Sequence, residues 1–218
     1  MDIHKPKAAH SWREFLIEIG TIICGILIAL GLEQGIEAFR THETVEALKS
    51  VLNRELASNR ARYERLRDSD ACSERLIREL VVWATKAPPG VVHGDLSIAR
   101  PALGTSSWEL ARSNPAFAHL PLEEQTAYST VYNMIGNQQH FLFDEQETWR
   151  AIKGSLPFSG DPAVRSNMVP LLTAALGYQR GRQMNYDYIF QKLDELHITA
   201  DKNDALGRRE INRCDQGH

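Results

Sequence analysis

The first apolar segment of the chain is a continuous run near its N-terminus. Residues 15–32 contain one charged side chain, Glu18, and from Ile19 onwards the run is apolar on all sides. As a helix it would be about 27 Å long at ~1.5 Å per residue, which is close to the thickness of a bilayer core. A buried helix in a soluble domain of this size is normally amphipathic. The pattern therefore predicts a transmembrane helix, and we assign residues 15–36 to it.

The sequence after this run distinguishes an anchor from a cleaved signal peptide. No small-residue cleavage pattern follows the run, which passes straight into Glu33 and Gln34. No apolar segment after residue 40 is long enough to span again. We therefore expect an uncleaved anchor that crosses the membrane once.

Basic residues on either side of the run predict its orientation. Lys5, Lys7 and Arg13 precede it, whereas Arg40 and Lys49 follow it. Segments richer in Lys and Arg tend to remain in the cytoplasm. The small bias predicts a cytoplasmic N-terminal tail of residues 1–14 and a C-terminal domain outside the cytoplasm.

Beyond the anchor, apolar side chains recur at helical spacing, and no strand pattern competes with it. The steps of three, four or seven from Val45 to Leu66 predict that the anchor helix continues into the domain. Further helices are predicted from turn and capping residues. They are residues 73–86 after a turn at 68–72, a short helix at 106–112, a turn at Asn114-Pro115, a long helix from Pro121 to about 156, and a last helix capped by Asp161 from Pro162.

This element order predicts an all-α fold. The N-terminal transmembrane helix continues into an antiparallel bundle of about four helices, because a short connection between long helices makes them antiparallel neighbours. The helical domain is assigned to residues 37–198, and a polar, flexible tail to residues 199–218. Residues 91–105 form the main irregular segment, and loops of that length are often functional or mobile.

Small residues cluster on one side of the predicted membrane helix. At 100° per residue several positions share a narrow sector, and a second small-x-x-x-small pair lies nearby. The predicted interface comprises Glu18, Thr21, Gly25, Ala29, Gly31 and Gly35. Gly and Ala are also common in membrane helices generally, so ordinary composition is the alternative. Glu18 has three interpretations: it extends to the interface, is paired within a helix contact, or serves as a functional carboxylate.

The chain has three cysteines, too few for a disulfide framework. Cys24 lies inside the apolar run, which leaves Cys72 and Cys214 for at most one intramolecular bridge. Cys72 lies at a predicted helix connection, and the tail is long enough to bring Cys214 to it. We therefore expect a Cys72–Cys214 disulfide if the domain lies in an oxidising compartment.

Charge and motifs exclude few function classes but favour none of the common enzymes. The net charge of −3 gives no basic domain, so nucleic acid is not an expected partner. No phosphate-binding loop, dinucleotide motif, nucleophile elbow or zinc-protease motif is present, and no cofactor is predicted. His93 and Asp95 lack a neighbouring nucleophile or motif, which disfavours a catalytic pair.

Two weaker side-chain groups could bind a metal or a small molecule. The metal candidates are His140, Asp144 and Glu147 on one helix face, and Asp194 with His197. A solvated helix face is the preferred interpretation of both. The pocket candidates are Arg180, Arg182, Asn185, Tyr186 and Tyr188 with Trp149 or Trp108. More often, such residues form a core and its rim.

The N-terminal sequence resembles a group of small bacterial single-pass membrane proteins that has no established activity. The resemblance rests on the segment from Trp12 through the apolar run to Gln34, followed by Glu46-Ala-Leu-Lys and Leu52-Asn-Arg-Glu-Leu. It covers about residues 11–60 well and the remainder only in outline. It implies a protein of the bacterial inner membrane with a helical domain, and it implies no catalytic residues.

Three functions therefore remain in view. The first is a non-enzymatic, membrane-tethered bundle whose partners are the lipid bilayer and either a second copy, through the membrane helix, or other envelope proteins. The second is a small-ligand-binding module, resembling bacterial helical sensors in shape but lacking a second span. The third, an envelope enzyme, would require buried ionisable groups with shifted pKa values gathered in one cleft.

Overall fold

A computed structural model describes residues 12–86 and 102–204, and every regular element in these ranges is helical. The α-helices are α1, Trp12–Lys86; α2, Ser106–Arg112; α3, Leu122–Ser155; and α4, Pro162–Glu195. Short 3₁₀ turns occupy Pro115–His119 and Leu156–Phe158. The predicted all-α class is confirmed.

The chain divides into two units, Met1–Ala47 and Leu48–His218. In the first unit, the described residues from Trp12 onwards belong to α1, and the large apolar side chains between Phe15 and Leu32 are exposed. Among the described residues, this part of α1 is the one stretch long and apolar enough to cross a membrane.

In the second unit, the later part of α1, residues 48–86, packs with α3 and α4 around an apolar core. One cluster of buried residues joins all three helices. It comprises Ile77, Leu80 and Ala84 of α1, Trp149 and Ile152 of α3, and Met168, Leu172 and Ala175 of α4. The helices form a bundle because the apolar residues recur every three or four positions and so line one side of each helix.

Contacts at two levels of the bundle give the helix directions. Near the start of the second unit, the Tyr132 hydroxyl donates to Glu55 at 3.0 Å, while Trp149 and Ile152 lie further along beside Ile77. The later part of α1 and α3 therefore run in the same direction, and α4 runs opposite to both. The described part of the connection between α1 and α3 is residues 102–121, which we call the return segment.

The return segment is fixed to α1 by polar side chains. Asn59 donates to the Gly104 carbonyl and accepts from the Gly104 amide, both at 2.8 Å. Glu55 accepts from the Ser106 hydroxyl at 2.9 Å and from the Ser107 amide at 3.1 Å, so it caps the start of α2. A Cβ added at Gly104 would lie 3.1 Å from the Glu55 side chain, so even alanine would be tight here.

Several local predictions are confirmed by the helix starts. The Asp161 side chain accepts from the Ala163 amide at 2.8 Å, and Pro162 is the first residue of α4. The Asn114 side chain accepts from the Ala116 amide at 2.9 Å ahead of the 3₁₀ turn. Helices α2 and α3 also lie where the sequence placed them.

The predicted turn at residues 68–72 is wrong, because α1 continues without interruption to Lys86. The polar residues that suggested a cap make tertiary or local side-chain contacts instead. Ser69 donates to the Leu66 carbonyl at 3.0 Å, and Asp70 accepts from α4. The expected separate helix over residues 73–86 is therefore the last part of α1.

After α4 the chain folds back along α1. The Asp201 amide donates to the Ala57 carbonyl at 3.0 Å, and Asp204 pairs with Arg62 at 3.1 Å and with Arg65 at 2.6 Å. These two guanidinium groups hold the pKa of Asp204 below its usual range, against the opposing effect of burial. The tail predicted from Thr199 thus begins within a segment that contacts α1, and residues 205–218 lie outside the described residues.

Candidate functional site

The strongest concentration of ionisable groups lies inside the bundle, where one arginine meets two carboxylates. Arg182 of α4 donates to Asp70 of α1 at 3.0 Å and also to Glu145 of α3. The Tyr186 hydroxyl donates to the second oxygen of Asp70 at 2.9 Å. We call these four residues the central ion cluster.

The central ion cluster is closed to solvent. The side chains of Arg182, Asp70 and Glu145 are 2%, 5% and 1% exposed. Its surroundings are also buried: the Tyr63 ring packs edge-on against Tyr186 at 6.3 Å, and the Gln179 amide donates to the Asp70 carbonyl. No substrate could therefore reach these groups without separation of the helices.

Burial and mutual contact shift the ionisation of the cluster. Burial raises the pKa of Asp70, and this effect outweighs the opposing influence of Arg182. Burial alone would lower the pKa of Arg182, but Glu145 and Asp70 raise it above its usual value. The pKa values of Tyr63 and Tyr186 are raised mainly by burial. Arg182 therefore remains charged and holds α1 and α3 against α4.

A second candidate is an open groove of about 740 Å³ along the outer side of α1. Its described lining residues are Ala71, Glu74, Arg75, Arg78, Glu79, Val82, Trp83 and Lys86. Glu74 accepts from Arg78 at 2.6 Å and from Arg180 at 3.4 Å, and Arg78 lowers the pKa of Glu74 most. The groove thus combines charged side chains of both signs with the exposed Val82.

The structure does not gather the metal candidates into a site. Within residues 12–86 and 102–204, no group of three metal-binding side chains is present. Glu147 pairs with Arg150 at 2.5 Å, and the Asp194 carboxylate pairs with Arg60 at 2.5 Å. Glu147 and Asp194 are therefore engaged by arginine side chains.

The pocket candidates on α4 separate to opposite sides of the helix. Arg182 and Tyr186 face the core, whereas Arg180 and Tyr188 are exposed. The Asn185 side chain donates to the Gly181 carbonyl within its own helix at 3.3 Å.

The two tryptophans considered for the same pocket lie in different parts of the bundle. Trp149 belongs to the apolar cluster, while Trp108 stacks on Tyr132 with 5.1 Å between ring centroids. The candidate residues therefore do not line one groove, and those that face inwards form core contacts. The pair of His93 and Asp95 lies outside the described residues.

The predicted membrane-helix interface is exposed throughout on α1: Glu18, Thr21, Gly25, Ala29, Gly31 and Gly35. The Thr21 hydroxyl donates to the Ile17 carbonyl of its own helix at 2.8 Å. A Cβ at Gly25 would meet nothing within 4 Å in the same chain. Association through this face stays a prediction.

The cysteines are in two states. Cys24 is free and exposed, whereas Cys72 is disulfide-bonded. Cys214 lies outside the described residues, so its pairing with Cys72 also stays a prediction.

The sequence analysis placed Arg182 and Tyr186 in a candidate ligand pocket and did not single out Asp70 and Glu145. The spacing of these two carboxylates relative to the apolar residues could have identified both. Asp70 occupies the same helical stripe as Leu66 and Ile77, and Glu145 lies three residues after Leu142 on the buried side of α3. A charged residue at an apolar position of a helix requires a partner, which here comes from α4.

Comparison with protein-family models, with curated proteins and with solved structures found no match to this chain.

We expect Arg182→Met to destabilise the protein by about 3–5 kcal/mol, because it leaves two buried carboxylates without their guanidinium partner. The matched control is Arg180→Met, two positions away on the solvent side, where loss of an exposed ion pair should have little effect. Urea unfolding of the detergent-solubilised protein, followed by tryptophan fluorescence, would measure both. Equal effects of the two variants would contradict a special role for Arg182.

The raised pKa of Asp70 predicts a pH dependence of stability. The folded state binds this proton more tightly than the unfolded chain. The resulting stabilisation is full below the unfolded pKa of about 3.9 and is lost as pH rises through the higher folded-state pKa. Unfolding midpoints measured from acidic to neutral pH should therefore fall less in Asp70→Asn than in the wild type. An unchanged slope would show that Asp70 does not titrate in this way.

Proposed function

We propose that this chain is a single-pass protein of the bacterial inner membrane, with its N-terminus in the cytoplasm and its helical domain in the periplasm. Its function is to associate with itself or with other envelope proteins, without catalysing a reaction. The observation that carries the proposal is the exposed apolar run of α1, which no part of the described chain covers.

The physical cost of leaving that run in water supports a membrane location. The described apolar side chains from Phe15 to Leu32 are exposed by between 37% and 69%. Each large aliphatic side chain moved from water to an apolar environment gains about 1.5–3 kcal/mol. A bilayer provides that environment along the whole length of an 18-residue helix. A contiguous apolar surface of this kind is otherwise a site for protein association.

The position of the central ion cluster supports association over catalysis. An envelope enzyme would place groups with shifted pKa values in an accessible cleft. The groups of Asp70, Arg182 and Tyr186, whose pKa values are raised, lie in the core instead. In the open groove, the lowered pKa of Glu74 is due mainly to its hydrogen bond with Arg78 on the surface. The ionisable cluster therefore fits a role in fixing helix packing.

The groove on α1 favours a second candidate function, a small-ligand-binding or sensor-like module. Its volume of about 740 Å³ is in the range of ligand sites. However, its described lining residues come from one helix and include five charged side chains, whereas ligand sites are usually concave and mostly apolar. Native mass spectrometry of the purified protein distinguishes the two functions, because a retained small molecule would favour the sensor.

The principal test of the proposed function is cross-linking in intact membranes, followed by purification in detergent. A specific homo-oligomer or a stoichiometric envelope partner is expected. A monomer without a cross-linked partner at native expression level would contradict the proposal.

The orientation is tested with reporter fusions after residue 218. Alkaline phosphatase should be active there and a cytoplasm-only fluorescent reporter dark, because Lys5, Lys7 and Arg13 outweigh the basic residues after the run. The reverse pattern would place the domain in the cytosol.

Association through the membrane helix is tested by Gly25→Leu. A Cβ at this position meets no other atom of the same chain within 4 Å, so any loss of association would indicate a contact with another helix. The expected loss is about 1 kcal/mol or more if backbones approach at Gly25. Insertion should be unaffected, because Leu is favourable in lipid. An association assay on a membrane helix of residues 11–40 measures this loss of association.

The matched control for that assay is Ile26→Leu, about 100° round the helix, which should have little effect. Glu18→Gln should weaken association only if the carboxylate is paired within the contact. If Gly25→Leu and Ile26→Leu behave alike, the small-residue face is ordinary membrane-helix composition.

A further inference from the structure

The side of α4 that faces away from the bundle carries no charged residue over most of its length. At 100° per residue, the positions opposite the buried stripe of Leu172, Gln179 and Ile189 fall within one sector about 80° wide. Up to Tyr188 they are Ala163, Ser166, Pro170, Ala174, Gly177, Gly181, Met184 and Tyr188. Gly181 is partly exposed, and the others are exposed. We call these residues the α4 seam.

The outward sides of the other two long helices differ from the α4 seam, because they carry charges. Arg75 and Glu79 are exposed on α1, and Asp144 is exposed on α3. In the seam, by contrast, Met184 is 84% exposed and Tyr188 is 47% exposed. Large apolar side chains gain free energy when a partner covers them, and a contiguous surface of this kind is typical of protein contacts.

The two glycines in the middle of the seam are not required by the packing of a single chain. A Cβ added at Gly177 or Gly181 would meet nothing within 4 Å. Glycine inside a helix is less favourable than alanine, so both residues destabilise α4 on its own. What they provide is free space beside the backbone. The distance between two packed helices depends on the side chains at their contact, so this space suits close approach by a second helix.

The spacing of the seam residues is that of a coiled-coil contact. From Pro170 to Tyr188 the steps alternate between four and three residues, as they do between the a and d positions of a heptad repeat. Two helices with this repeat can pack along their length. In a parallel pair, each seam residue lies beside the same residue of the second copy, and residues that flank the seam face one another across the contact.

The charges that flank the seam favour a second copy of this chain as the occupant. Asp187 lies on one side of Tyr188, and Lys192 on the other has its ammonium 5.6 Å from the Tyr188 ring centroid. In a parallel pair, Asp187 of each copy faces Lys192 of the other, which gives two pairs of opposite charge. Lys192 also donates to Glu195 at 2.7 Å, and its ammonium has further donors for Asp187. In an antiparallel pair centred on the glycines, Asp187 would face Leu171 instead.

We propose that the α4 seam is the surface through which the helical domains of two copies of this chain associate, with their α4 helices parallel. A two-fold axis along the helices makes every contact occur twice, as in most homodimers. The proposal rests on the self-association proposed above and assigns it a surface on the domain. The membrane helix is a separate candidate contact, which the experiments below leave unchanged.

The arrangement is tested by cysteine cross-linking of the full chain in intact membranes, in a Cys24→Ser background that removes the free cysteine. Because a parallel pair places Met184 beside Met184 of the other copy, Met184→Cys should give a disulfide-linked dimer on mild oxidation. The control, His140→Cys, is exposed on α3 and should give no more dimer than the background. If Ala174→Cys chains linked to Met184→Cys chains in preference, the parallel arrangement would be overturned.

Close packing at the seam is tested by Gly177→Leu, which fills the space that the second helix would occupy. The dimeric fraction of the detergent-solubilised full chain, measured by sedimentation, should fall several-fold. The matched control is Gly154→Leu, at an exposed glycine of α3 where a Cβ also meets nothing within 4 Å, and it should leave the dimer unchanged. Circular dichroism checks that both variants keep their helices.

The charge pairs are tested by reversal and rescue. Asp187→Lys should reduce the dimeric fraction several-fold, and adding Lys192→Asp should restore it, because the same pairs form with their signs exchanged. Asp144→Lys on α3 is the control for charge alone. Failure of the double variant to restore the dimer would overturn the parallel pairing.

The outcomes separate this proposal from the proposed function. A homo-oligomer that persists in Gly177→Leu and gives no Met184→Cys dimer would overturn the seam and leave self-association through the membrane helix standing. Absence of any homo-oligomer from the full chain would overturn the self-association on which the seam rests.

Discussion

The burial of Arg182 constrains how the three long helices can pack. A guanidinium group with almost no solvent contact requires acceptors, and it finds one on α1 and one on α3. If α4 moved by one helical turn, about 5.4 Å, both contacts would be lost. Apolar side chains alone would allow the helices to pack in several registers, whereas the buried charges are paired in only one of them. We regard the central ion cluster as the determinant of helix register, a known use of buried polar groups.

Other polar contacts agree with the register that Arg182 sets. Ten residues before Asp70 on α1, Arg60 pairs with Asp194, which lies twelve residues after Arg182 on α4. Beyond the end of α4, Asp204 pairs with Arg62 and Arg65. The later part of α1 thus has an apolar stripe towards the core and basic residues along the path of the returning chain. The apolar run long enough to cross a membrane, by contrast, belongs to the first unit.

The local features of the fold could be predicted from sequence because they depend on neighbouring residues. Asp161 followed by Pro162 marks the start of a helix, whatever that helix packs against. The same reasoning failed at residues 68–72, where the residues resemble a cap but Asp70 bonds to Arg182, 112 positions away. No local pattern identifies such a partner. The antiparallel arrangement of α3 and α4 could be predicted from their short connection, whereas the parallel arrangement of α1 and α3 depends on where the return segment attaches, at Asn59 and Glu55.

The contacts of Asp204 also have a consequence for biosynthesis. They join positions on α1 to a residue about 140 places later, so they cannot form until the chain has been synthesised beyond Asp204. Until α3 and α4 have been synthesised, the apolar stripe of α1 at Leu52 and Leu56, which is fully buried in the finished fold, has no long helices to pack against. The core therefore forms late, after a stage in which these apolar side chains of α1 are exposed.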